Sequence, residues 1–187
     1  MAKRLRDKLF RSRRDLVKTG GIMKSLEAAQ FARNAELQLG KIIDATRQPG
    51  GFSKLSPVQR RLLVAAILAT VIPSDGKILE IEIQHFLSHL RQRYQFQIAD
   101  QKQAMDLLNE GLSAEQLQQA AKQLQELLSI EDRMALIGML WDIALCDHHL
   151  HPAEEALIHS VARHAGVARK KVIEEQARAA RANAIGR

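Results

Sequence analysis

Two stretches of this chain, 72 residues apart, repeat one pattern, and that repeat constrains the fold more than any other feature. Val64, Ile67, Leu68 and Val71 align with Leu136, Met139, Leu140 and Ile143. Asp75, Ile78, Glu82 and Phe86 then align with Asp147, Leu150, Glu154 and Ile158. In each copy apolar residues recur three and four positions apart, the period of a helix with a buried face. An acidic turn follows, and then a second helix that opens on an acidic residue. A helical hairpin of this kind cannot bury its apolar face alone, so two of them in one chain are expected to pack together. The predicted fold is all-α, a helical bundle of two pseudo-repeated helical hairpins with an added N-terminal helical extension.

Composition agrees. Strong helix formers fill most positions, aromatics are only 4%, and 10 Gly and 4 Pro in 187 residues leave few breaks. The breaks that exist mark boundaries. Residues 48–56 carry Pro49, Gly50, Gly51, Ser53 and Ser56 and read as a linker. Ser56-Pro57 is a helix start, with a hydroxyl at the cap and Pro at the first helical position. The apolar run Leu62–Ile72 is too short to span a bilayer, which needs about 20 residues, and reads as a core helix stopping at Pro73. Further helices are expected from about Leu79 to Tyr94, from a cap at Asp100 to before Gly111, and from the capping box Ser113–Gln116 to about Leu128. Ser129 opens another to about Leu145, Pro152 opens the next, and Gly166 ends it. The predicted organisation is a basic helical extension over 1–47, the linker, a domain over 57–166, and a basic C-terminal helix over 167–187.

Charge divides the chain the same way. Residues 1–50 hold twelve basic and five acidic residues, 51–162 nine and fourteen, and 163–187 seven and two. An acidic middle is flanked by basic ends, which implies different partners for the two parts. A lone cysteine excludes an internal disulfide, and residues 1–18 lack the apolar core of a secretory signal. A cytoplasmic location is expected.

The repeated turns read SDGKILEIE (74–82) and CDHHLHPAE (146–154). A buried helix ending in Asp-Gly, an aliphatic residue two after the Gly, and a Glu seven after the Asp resemble the tellurite-resistance TerB family. The resemblance covers roughly residues 55–165. It implies a compact all-α domain of two related halves, acidic surface residues that bind divalent metal, and a place in stress responses at the inner membrane. The family is similar in fold to the domain that precedes the J domain in a group of membrane-anchored co-chaperones, but this chain has no His-Pro-Asp triplet. It departs from the family pattern at His148, which stands where the second turn should have Gly, and at Pro73-Ser74 before the first turn.

The candidate metal ligands are Asp75, Glu82, Asp147 and Glu154, with Glu155 beside them. If the two turns meet, their carboxylates supply oxygen donors suited to calcium or magnesium. The competing reading is structural: each Asp terminates its turn and each Glu complements the dipole of a helix N-terminus. Cys146, His148, His149 and His151 suggest zinc, but they crowd too closely along the chain for a standard site. Glu82 and His85 fit the Glu-x-x-His spacing of di-iron bundles, but Leu157 stands where a second copy needs histidine. No nucleophile elbow, phosphate-binding loop or dinucleotide fingerprint occurs, so a non-enzymatic binding or scaffold module is expected. The alternative is a protein-interaction adaptor or co-chaperone-like domain whose acidic turns are purely structural. Residues 1–18 set Leu5, Leu9, Phe10 and Leu16 among Lys and Arg. That pattern suits a protein partner or an anionic membrane surface better than nucleic acid, because stacking aromatics are missing.

Overall fold

The computed structural model describes residues 41, 55–96 and 112–185. The N-terminal extension apart from residue 41, most of the linker, and the helix expected after Asp100 lie outside these residues. Six helices longer than a single turn make up the described chain, which has no strand: α1 (Pro57–Ala69), α2 (Glu80–Tyr94), α3 (Ala114–Leu127), α4 (Ile130–Ala144), α5 (Pro152–His164) and α6 (Arg169–Ile185).

Helix starts follow the polar residues that cap them. The Ser56 hydroxyl accepts from the Gln59 N–H at 3.2 Å, and Gln59 Oε1 accepts from the Ser56 N–H at 2.8 Å. Ser113 and Gln116 exchange the same pair of bonds at 3.2 and 2.9 Å. The Ser129 hydroxyl accepts from the Asp132 N–H at 3.1 Å. Each bond removes an orphan donor from a helix end. The end of α1 differs from expectation. The helix closes at Ala69, short of Pro73, and both the backbone N–H and the hydroxyl of Thr70 donate to the Ile67 carbonyl. The residue before a proline disfavours helical geometry, so Val71 and Ile72 continue as turn, fully buried.

The core is centred on α1 and α4. Every residue from Leu63 to Ala69 is buried, as are Leu136–Trp141, Ile143 and Ala144, so both helices are covered almost all round. Phe86 of α2, Leu124 of α3 and Ile158 of α5 fill in against them with no exposed surface. α6 lies along α4 in the most extensive helix contact of the described chain. Gly138 leaves room for two side chains of α6, because a Cβ there would stand 2.7 Å from Glu175 Oε2 and 2.8 Å from Arg178 Nη2. Arg178 braces the pair, donating to Glu175 at 2.7 Å and to both oxygens of Asp142 at 3.1 and 3.2 Å. The C-terminal end of α5 is closed by Gly166 at φ 68°, with Arg133 and Gln125 donating to the Ala165 and His164 carbonyls at 2.6 and 2.7 Å.

The turns from α1 to α2 and from α4 to α5 share a backbone path. Ser74 N–H donates to Val71 O and Gly76 N–H to Pro73 O; Cys146 N–H donates to Ile143 O and His148 N–H to Leu145 O. Gly76 has φ 83° and His148, in the matching place, φ 68°. His148 therefore holds the left-handed conformation that Gly adopts without penalty, at a cost of about 1 kcal/mol. Nothing lies within 4 Å of a Cβ added at Gly76, so backbone strain alone sets the effect of a substitution there. Gly76→Ala should lower stability by about 1 kcal/mol, whereas His148→Gly should raise it by a few tenths up to about 1 kcal/mol. Urea unfolding of both variants checks this; a loss of stability in His148→Gly would show that its side chain contributes more than its backbone costs.

Candidate functional site: the paired acidic turns

Each turn builds its acidic groups in the same way. Asp75 Oδ1 accepts from the Lys77 N–H at 2.8 Å, and Asp147 Oδ1 accepts from the His149 N–H at 2.8 Å. Seven residues on, Glu82 Oε2 accepts from the Leu79 N–H at 2.7 Å, and Glu154 Oε2 accepts from the His151 N–H at 2.8 Å. Leu79 and His151 precede the first residues of α2 and α5, so each glutamate reaches back over the opening turn of its own helix. Both glutamates are nearly withdrawn from water, Glu82 at 4% exposure and Glu154 at 3%, while Asp75 and Asp147 are half-buried.

The four carboxylates act on one another. Burial is the main reason that Glu82 is pushed up to about 7; the Leu79 N–H opposes it, and the charges of Glu154, Asp75 and Asp147 add to it. Burial also raises Glu154, against the His151 N–H, with Asp75 and Asp147 adding to the rise. The sequence-predicted set, Asp75, Glu82, Asp147 and Glu154, is thus a coupled electrostatic group drawn from both turns. One oxygen of each serves a backbone N–H, and the other stands outside these bonds. The donors are all oxygen, the chemistry of calcium and magnesium. As they stand, no three His, Cys, Asp or Glu side chains among the described residues are drawn together tightly enough to hold an ion.

The zinc-like crowd separates. Burial, with help from Glu82, Asp147 and Glu154, pushes the Cys146 thiol up to about 12, so it keeps its proton near neutral pH. His148 and His149 are exposed, and the His149 ring turns back to its own loop, with Nδ1 3.0 Å from the Asp147 carbonyl. His151 serves its own helix, where its Nδ1 accepts from the Ala153 N–H at 3.2 Å and caps α5. The Glu82–His85 spacing draws in no third His, Cys, Asp or Glu among the described residues to make a centre.

One polar cluster is not visible in the sequence pattern. His89 Nε2 of α2 stands 3.6 Å from Asp142 Oδ2 of α4, which Arg178 of α6 also holds. Burial lowers His89 below the ordinary imidazole range, with Asp142 pulling the other way. A cavity of about 480 Å³ opens beside this cluster, lined by His85 and Asn183 among others. The one signal in the sequence is a histidine a helical turn after His85, and its partners come from two other helices.

The fold and site define an all-α domain with two matched acidic turns between packed helices. The family described as tellurite resistance protein TerB matches residues 61–178, and the chain belongs to that family. No curated protein and no solved structure gives a match. The matched span reaches well into α6, in keeping with the packing of that helix on α4.

The raised pKa of Glu82 makes stability depend on pH in a definite direction. A glutamate near 7 in the folded protein and near 4.5 in the unfolded chain binds more proton folded than unfolded throughout that window. Stability therefore falls as pH rises from about 4.5 to about 7, by an amount on the order of 1–3 kcal/mol from this group. Glu82→Gln keeps an oxygen for the Leu79 N–H and removes the charge. Thermal unfolding at pH 5 and pH 8 should show a smaller loss between the two in Glu82→Gln than in the parent, and equal losses would contradict the assignment.

Proposed function

We propose that this protein is a non-enzymatic TerB-family binding or scaffold module in stress response, whose paired acidic turns respond to a divalent cation such as calcium or magnesium. The observation that carries the reading is the burial of Glu82 within range of acidic groups from both turns: burial first, and then the charges of Glu154, Asp75 and Asp147, leave Glu82 near 7. Glu82 and Glu154, raised by burial and by the charges of both aspartates, are relieved by any positive charge placed among the acidic groups, and hard oxygen donors favour an alkaline-earth ion. Binding draws the free oxygens of the two turns together and thereby couples the α1–α2 and α4–α5 hairpins. In this reading the protein is cytoplasmic, and its basic residues 1–18 recruit it to a protein partner or to the anionic inner-membrane surface. Among the described residues no helix is long and apolar enough to cross a membrane.

One observation favours a second reading. All four carboxylates already accept a backbone N–H within their own turn or helix start. In an adaptor or co-chaperone-like domain those bonds would be their whole purpose. Calcium and magnesium titrations followed by amide NMR separate the two. The cation reading expects saturable shifts centred on Asp75 and Asp147 that Asp147→Ala abolishes or weakens at least about tenfold. Absence of shifts at millimolar ion, or an unchanged response in Asp147→Ala, would leave the structural reading.

A further inference from the structure

A second surface, between α5 and α6, has the opposite character. A groove of about 600 Å³ runs between α5 and the start of α6. Its α5 wall is Ala156, His159, Ser160 and Arg163, residues spaced to fall on one helical face. Its apolar lining includes Ala162, Val167 and Val172, each at most 6% exposed. Arg163 and Arg169 complete it, both exposed. The domain uses several of its other arginines internally: Arg93 pairs with Asp132, Arg133 holds the end of α5, and Arg178 braces α4. The guanidinium groups of Arg163 and Arg169 make no hydrogen bond or ion pair with any described residue. Glu155 stands 3.9 Å from His159 of the α5 wall, and no carboxylate is among the residues that line the groove. Residues 163–187 carry seven basic and two acidic residues, so the local field also favours an anion.

We infer that this groove binds a phosphate-bearing ligand with a small apolar body, its phosphate held by Arg163 and Arg169 and its body resting on Ala162, Val167 and Val172. Guanidinium groups match phosphate oxygens in pairs of parallel hydrogen bonds, which lysine cannot do. The volume is that of a small-molecule site, and apolar side chains beside a small number of polar ones are the usual division of labour in such sites. The Ser160 hydroxyl supplies a further donor along the α5 wall. This site is independent of the cation reading, since none of its residues belongs to the acidic turns.

The test is NMR titration of the full chain with inorganic phosphate and with a short-chain alkyl phosphate, at constant ionic strength and with chloride as control. Saturable shifts at residues 160–172 are expected, tighter for the alkyl phosphate because the apolar lining adds to its binding. Replacing both arginines, R163A/R169A, should weaken binding about tenfold or more, the size of a lost charge-assisted contact. Both side chains are exposed, so the variant is expected to keep the melting temperature and amide spectrum of the parent. Sedimentation with phosphatidylcholine vesicles, with and without phosphatidic acid, identifies the source of the phosphate. Loss of pelleting in R163A/R169A points to a lipid phosphate, and unchanged pelleting beside arginine-dependent shifts points to a soluble ester. No saturable shifts with either probe, or shifts that survive R163A/R169A, would overturn the proposal.

Discussion

The helices α2 and α5 each begin on a carboxylate that has almost left water, and the rest of the site depends on that arrangement. Glu82 and Glu154 curl back to accept the N–H groups of Leu79 and His151. Without them those donors would be orphaned beside a packed core. The same bonds fix where the second helix of each hairpin departs from its turn, and so where Asp75 and Asp147 stand. Burial of the two glutamates has an electrostatic consequence that no capping bond removes. Each charge is poorly solvated and faces like charges from the other turn, so Glu82 holds its proton up to about 7. A fold that brings four carboxylates into mutual range creates a place where positive charge is favoured, whether or not the capping role came first.

Much of the fold is legible in the sequence because its signals are local. Ser56, Ser113, Ser129, Pro152 and Gly166 mark boundaries through bonds or backbone angles that depend on a few neighbouring residues. The repeat is legible because a buried helix and a capped turn leave the same residues at the same spacing, as Asp75 and Glu82 do beside Asp147 and Glu154. What escapes is set by tertiary context. Nothing within α6 announces that Arg178 will hold Asp142, 36 residues away, or that Gly138 will admit the side chains of Glu175 and Arg178. The end of α1 falls before the proline expected to stop it: Thr70 closes the helix onto the Ile67 carbonyl, and the residues leading into Pro73 continue as turn. His148 departs from the turn pattern in residue type, yet it holds the left-handed conformation that Gly76 holds. Backbone angle is a property of the place in the fold and not of the residue type alone.

The imidazoles and the thiol of CDHHLHPAEE show how composition misleads about chemistry. In a ten-residue window they resemble a zinc site. In three dimensions Cys146 is a buried thiol, His148 a turn residue, His149 a partner of its own loop, and His151 a helix cap. Asp147 and Glu154, less conspicuous in the sequence, are the groups that the other turn can sense. The opposite lesson comes from Arg163 and Arg169, which look like ordinary surface charge until the groove between them and its apolar lining are considered together.

The central claim is that the two acidic turns form one electrostatic unit. It is tested most directly by titrating the side-chain carboxyl carbon of Glu82 by NMR from pH 4 to pH 9, in the parent and in Asp147→Asn, first without and then with saturating calcium. The account predicts a midpoint near 7 in the parent, a lower midpoint when the Asp147 charge is removed, and a larger fall when calcium binds. An ordinary glutamate midpoint near 4.5 that responds to neither change would contradict it.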